Sequence, residues 1–150
     1  MKSNFCKCIL KNMEYSISTD KARLNIEAIH DYLCNKSYWA KGRSFERVLK
    51  SIDNSICFGL YDSNNNTLGF ARVITDHVVF AYLMDLFVFE EHRGKGLGTM
   101  LVKHIFEHPN FQVRLWFLGT ADAHGFYKKF GFTGLDDPGR FMLKRDENYC

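Results

Sequence analysis

The run Arg93-Gly94-Lys95-Gly96-Leu97-Gly98-Thr99 holds the residue types in this 150-residue chain that point most directly to chemistry. Three glycines allow positive φ and a close backbone approach to a ligand. The run precedes an amphipathic helical pattern, and the unpaired N–H groups of a helix start favour an anion. Arg93 and Lys95 add positive charge, so the chemistry indicated is pyrophosphate binding. A Walker loop needs GxxxxGK[ST], which the chain lacks. The dinucleotide fingerprint needs GxGxxG, whereas the spacing here is GxGxG. The pattern that remains is [QR]-x-x-G-x-[GA], met by Arg93, Gly96 and Gly98. An ordinary tight turn uses the same glycines.

Asp85 is the second candidate. It lies in the apolar run VVFAYLMDLFVF, where an unpaired carboxylate is costly. It can act as a general base or as a structural carboxylate held by backbone donors or an arginine such as Arg72. In a regular strand it points to the face opposite Tyr82, and a bulge would change that phase. Tyr127, read from spacing alone, is a core aromatic on an amphipathic helix. His124, one turn earlier, reads as a surface or cap residue. The cysteines at 6, 8, 34, 57 and 150 are odd in number and scattered. They form neither a disulfide framework nor a four-ligand zinc set, so no metal is expected.

The elements that must position these groups follow from periodicity. A short strand is predicted over 14–18, a helix over about 21–34, and a second helix capped by Ser44. Strands over 55–61 and 67–75 flank the turn Asp62–Asn66 and form a hairpin. Residues 78–89 read as a long strand buried on both faces. A helix follows the glycine run and stops at His108-Pro109. A strand over 112–118, a short helix over 121–130 closed by Gly131, and a hairpin of 132–134 with 140–144 complete the order. The fold class is α/β (α+β). A single domain is expected over 1–150, with residues 1–12 as an extension or mobile start.

Two segments on these elements, LFVFEEHRGKGLGTML and TADAHGFYKKFGF, carry a family likeness. The second matches the pattern T/N-x-x-A-x-x-x-Y-x-K-x-G-F and starts one strand and one helix after the first. With them the chain resembles the GNAT superfamily of acyl-CoA-dependent N-acyltransferases, over residues 14–145. SYWAKGRSFE looks characteristic of one bacterial subgroup. The resemblance implies a mixed, mostly antiparallel central sheet flanked by helices, with a V-shaped opening between strands 78–89 and 112–118. It implies acetyl-CoA as acyl donor and direct attack by a primary amine of a small molecule or peptide.

In that likeness the pantetheine pairs with backbone around Leu86, Phe87 and Val88, and the Val88 N–H polarises the thioester carbonyl. The pyrophosphate sits on N–H groups of Arg93, Gly94, Lys95, Gly96, Leu97, Gly98 and Thr99. Thr120, where many members have Asn, joins Phe126 and Lys129 on the cofactor side. Tyr127 matches the general acid that protonates the leaving thiolate, and Asp85 is the candidate base. The acceptor wall falls to the loop holding Tyr38, Trp39 and Arg43. An Arg43 that faces the pocket points to an acceptor bearing a carboxylate or phosphate. A non-catalytic acyl-CoA-binding or sensing domain is the alternative function on the same fold.

Composition bounds these readings. A net charge of +3 with interspersed signs argues against nucleic acid. No apolar run reaches the ~18–20 residues of a membrane span. Lys7 and Lys11 interrupt the apolar start, so a cytoplasmic protein is expected. Exposed strand edges or the final hairpin offer dimer surfaces.

Overall fold

A computed structural model describes residues 6–10 and 13–146. Contacts divide the chain into two units, Met1–Leu118 and Gly119–Cys150. The first unit holds a six-stranded sheet in the order β1(Cys6–Leu10), β2(Met13–Ser18), β3(Ile56–Tyr61), β4(Thr67–Thr75), β5(Phe80–Val88), β6(Leu115–Phe117). All neighbours are antiparallel except β5 and β6, which are parallel. β1, inside the segment expected as an extension or mobile start, pairs with β2 along its length. Residues 1–5 and 11–12 lie outside the described residues.

Local chemistry sets the turns. Asp62 Oδ1 accepts N–H bonds from Asn64 and Asn66, and Asn65 takes φ +65°, which closes the β3–β4 hairpin. Asp76 Oδ1 gathers the N–H groups of Val78, Val79 and Phe80, delaying the start of β5 to Phe80. The expected helix over 21–34 is interrupted. Asp20 caps a 3-10 turn at Lys21–Arg23, and Asn25 then caps α1(Ile26–Asp31) through the Ala28 N–H at 3.0 Å. Two acceptor side chains five residues apart each start their own turn. α1 runs on into a π-helical turn, Tyr32–Lys36, that buries Tyr32 and Leu33. Ser44 caps α2(Phe45–Asp53) as expected.

Cys57 and Phe58 are adjacent on β3, so their side chains mark the two sheet faces. Cys57, Phe70 and Phe87 pack with Ile29, Tyr32, Leu33, Val48 and Ile52 from α1, its π-turn and α2. Phe58 meets the rings of His104 and His108 at α3(Leu97–Glu107). α1 has only six residues, and isolated helices below ~12–15 residues are marginal. Burial of each aliphatic side chain, about 1.5–3 kcal/mol, is what holds it. Helices therefore cover both faces of the central strands, as the apolar run of β5 required.

The second unit contains α4(His124–Lys128) and a 3-10 turn at Pro138–Arg140. The expected hairpin of 132–134 with 140–144 does not form. Pro138 fixes φ and starts the 3-10 turn instead, with Arg140 and Phe141 donating back to Asp137 and Pro138. Met142 and Leu143 stay exposed.

Candidate functional site: a bulged strand and an uncapped helix

β5 and β6 pair only between Phe80–Tyr82 and Leu115–Phe117. β5 continues to Val88 with no strand beside it on that edge among the described residues. This is the opening expected between the two strands; β6 is three residues long, Leu115–Phe117, where seven were expected.

The backbone direction along this edge follows from antiparallel alternation. Phe89 N–H donates to Leu68 C=O at 3.0 Å, and Phe70 stands opposite Phe87. Those are bonded pairs, so Gly69–Val88 between them is not, and the Val88 N–H and C=O point away from β4. Arg93 Nε donates to that Val88 carbonyl at 3.0 Å, in agreement. Phe87 differs from Val88: its main chain pairs with β4, and its ring stacks on Tyr32 at 3.9 Å. Gly69 allows the close strand approach, since a Cβ there would stand 2.7 Å from the Phe87 carbonyl oxygen.

The register shifts between Phe70 and Arg72, placing Ala71 opposite both Asp85 and Leu86. Asp85 takes φ +50°, in the left-handed region that aspartate tolerates better than most residues. This bulge changes the strand's phase. Arg72 stands opposite Met84 and Phe70 opposite Phe87, so Met84 and Phe87 share one face although three residues apart. The Asp85 carboxylate is brought to that face. Its side chain is 1% exposed and accepts three bonds. Arg72 Nε reaches Oδ2 at 2.6 Å, Arg43 NH1 reaches Oδ2 at 2.8 Å, and the Trp39 indole N–H reaches Oδ1 at 3.1 Å. Arg72 also donates to Ser55 Oγ at 3.1 Å. The structure thus joins Trp39, Arg43 and Asp85, three predicted site residues, in one cluster. Tyr38 stays more than half exposed beside Trp39, edge to face at 5.0 Å.

Beyond β5 the chain makes a 3-10 turn, Glu90–His92, and enters the glycine run. Gly94 and Gly96 have φ +76° and +77°. Gly96 is the residue before α3 and has no side chain to cap it. Among the described residues, the backbone N–H groups of 94–99 have no acceptor within the protein. They are donors at the positive end of an eleven-residue helix. Arg93 departs from expectation. Its N–H donates to Glu90 C=O, and its guanidinium is tied to the Val88 carbonyl and the Tyr32 hydroxyl. It clips the end of β5 to the π-turn and contributes no free amide. Tyr32, Ser55 and Gly69 escaped the sequence reading. Tyr32 and Ser55 act through partners 61 and 17 residues away, and no local pattern signals that.

In the second unit, Tyr127 is half-buried on α4, edge to face with Phe126 at 5.1 Å and Phe132 at 5.9 Å. Phe126 also meets Phe130. Gly131, at φ +86°, ends the helix as expected. Thr120 Oγ1 accepts the Ala123 N–H at 3.0 Å, a turn-closing role. Lys129 is exposed. Among the described residues, no group of three or more His, Cys, Asp or Glu side chains could hold a metal. No helix among them is long and apolar enough to cross a membrane.

A family model described as an acetyltransferase (GNAT) domain matches residues 53–134, from the end of α2 through the glycine run and α4. A Gibberella zeae protein bearing an acetyltransferase name is 30% identical over 140 residues, 79% of this chain and 78% of its own. A Prochlorococcus marinus protein named as an uncharacterised N-acetyltransferase is 29% identical, over 87% of this chain and 76% of its own. A Xanthomonas campestris pv. campestris structure ascribed to the GNAT family superposes with a TM-score of 0.85 at 40% identity, covering 88% of this chain and 93% of that one. By this match and these likenesses the chain belongs to the GNAT family of acetyltransferases.

Proposed function

We propose that the protein transfers an acetyl group from acetyl-CoA to a primary amine of a small molecule or peptide. The observation that carries this reading is the free edge of β5 leading, through a 3-10 turn and the glycine run, to the uncapped start of α3. The donors of residues 94–99 suit a pyrophosphate, and the outward Val88 N–H suits a thioester oxygen that gains charge as the amine attacks. Acetyl-CoA supplies the activated acyl group. Leu86 and Val88 flank it along the β5 edge, with Phe87 acting as core beneath them. Tyr127 keeps the role the family likeness implies, proton donor to the thiolate. A phenol of pKa ~10 can protonate a thiolate of pKa ~8.5 at modest cost.

Asp85 holds a different place in this proposal from the general base of the sequence reading. Both its oxygens are already engaged by N–H donors, so it positions Arg43 and Trp39, and the amine proton leaves through solvent.

The test has two parts. Calorimetric titration with acetyl-CoA should saturate in the native protein and fail in Gly96→Trp, where a left-handed glycine is lost and an indole stands over the donors. Incubation with an amine panel should give products heavier by one acetyl group, and Tyr127→Phe should lose turnover while keeping CoA binding. Saturable binding with no product from any amine would favour the acyl-CoA-sensing alternative.

A further inference from the structure

The charge balance around Asp85 carries information about the acceptor. Arg72, with its side chain 6% exposed and 2.6 Å from the carboxylate, already neutralises Asp85 in the interior. Arg43 adds a second guanidinium to the same oxygen. One buried anion therefore faces two cations, a local surplus of one positive charge. Burying an unbalanced charge is costly, so the surplus must be relieved by water or by an anion. Arg43 is the member that can meet one: its side chain is 21% exposed, whereas Arg72 is enclosed. Only one of its terminal nitrogens is engaged, and among the described residues its remaining donors have no partner.

Arg43 is also held still. Its NH1 is fixed by Asp85, its carbonyl is within 3.1 Å of His30 Nε2, and its neighbour Trp39 is anchored on the other carboxylate oxygen. A planar fork with free donors, pre-oriented by a buried carboxylate, loses little freedom when it binds a carboxylate or phosphate. Asp85 lies on β5 past the last residue paired with β6 and three residues before Val88. Three strand residues span about 10 Å, and the Asp85 side chain with its hydrogen bond to Arg43 adds roughly 6 Å, so this fork lies within about 16 Å of the amide proposed to polarise the thioester. Asp85 is the only acidic side chain bonded to this cluster among the described residues, so a second ammonium on the acceptor finds no partner here.

We infer that Arg43, oriented by Asp85, is the acceptor-specificity residue, and that the acceptor is a primary amine carrying an anionic group, carboxylate or phosphate. This rests on the transferase reading above and names its substrate class.

Two matched probe pairs test it, glycine against glycinamide and O-phosphoethanolamine against ethanolamine, compared per unprotonated amine. The native protein should favour the anionic member of at least one pair by about tenfold or more in kcat/KM, the scale of a charge-assisted hydrogen bond. The pair that responds identifies the anion. Arg43→Gln should bring that ratio close to one, and Arg43→Lys should restore part of it. Asp85 keeps Arg72 in both variants, and thermal unfolding checks that each is folded. Equal use of both members by the native protein overturns the inference, as does an equal loss on both in Arg43→Gln. Calorimetry of the same probes into CoA-saturated protein gives a readout that needs no turnover. Binding of the anionic member that Arg43→Gln abolishes, without acetylated product, keeps the anion site and refutes the transferase reading. Absence of both binding and product for every probe overturns the inference.

Discussion

Asp85→Asn is the substitution on which the structure makes its sharpest demand. The carboxylate accepts from two guanidiniums at Oδ2 and from an indole at Oδ1. An amide has one acceptor atom and one donor group. With its oxygen towards the arginines, its NH2 faces the Trp39 N–H; turned over, its NH2 faces both guanidiniums. Either way a donor meets a donor inside the protein, and Arg72, enclosed and otherwise bonded only to Ser55, loses its counter-charge. Removing one partner of a buried ion pair costs about 3–5 kcal/mol. Unfolding entropy of ~2.1 cal/mol/K per residue is roughly 0.3 kcal/mol/K for a chain of this length, so Tm should fall by about 10–15 °C. Arg43→Gln leaves Asp85 paired with Arg72 and removes a partly exposed partner, so it should cost no more than about 1.5 kcal/mol. Thermal and urea unfolding of the two variants measure both numbers. A Tm for Asp85→Asn within about 3 °C of the native protein, or an equal loss in Arg43→Gln, would refute the reasoning. The pH–rate profile adds a second discriminator. A positioning role lowers the rate of Asp85→Asn without reshaping the profile, and a reshaped profile would return Asp85 to proton removal.

Three further outcomes are expected. Gly69→Ala should destabilise the protein by about 1–3 kcal/mol in urea unfolding, because the added Cβ meets the Phe87 carbonyl oxygen at 2.7 Å and one strand must move. Burial lowers the pKa of His104, with His108 adding to the effect, and burial lowers that of His108. Their native pKa values thus lie below the unfolded ~6.5, so their contribution is complete above that pH and is lost as pH falls below it. Replacing both by Gln should flatten the stability–pH curve below about pH 6.5, and an unchanged slope there would count against the packing of the two rings on Phe58. Burial pushes the Cys57 thiol up to about 11, and its sulfur donates to the Ile52 carbonyl. Alkylation of Cys57 at neutral pH, followed by peptide mass, should proceed only as fast as the chain opens; rapid labelling of the folded protein would contradict this burial.

Much of the framework was legible because it is local. Ser44, Asp62 and Asp76 each bond N–H groups within four residues, and so the second helix and the β3–β4–β5 turns could be read from spacing. β4 falls at Thr67–Thr75, between the turns that bounded it in the sequence. Local reading failed where two signals competed or where a partner was required. Asn25 and Asp20 both cap, so one long helical pattern became two short elements. The pattern at 112–118 is strand-like over seven residues, yet only three find a neighbour on β5. The turn signal Asp136–Gly139 suggested a hairpin of 132–134 with 140–144, but no strand forms there among the described residues.

The sequence by itself determined the glycine run, because positive φ without a Cβ is a property of single residues. The same holds for the two motifs that mark the family. It also placed a carboxylate inside an apolar strand, which had to find a partner. Only the tertiary structure decided which partners those are and which face they occupy. The bulge at Asp85 depends on a register between strands, and strand alternation without it sends the carboxylate to the opposite face. Arg43 and Trp39 arrive from 42 and 46 residues away. That meeting depends on how α1, its π-turn and α2 pack on the sheet, and packing is a sum over distant contacts that no window of sequence contains.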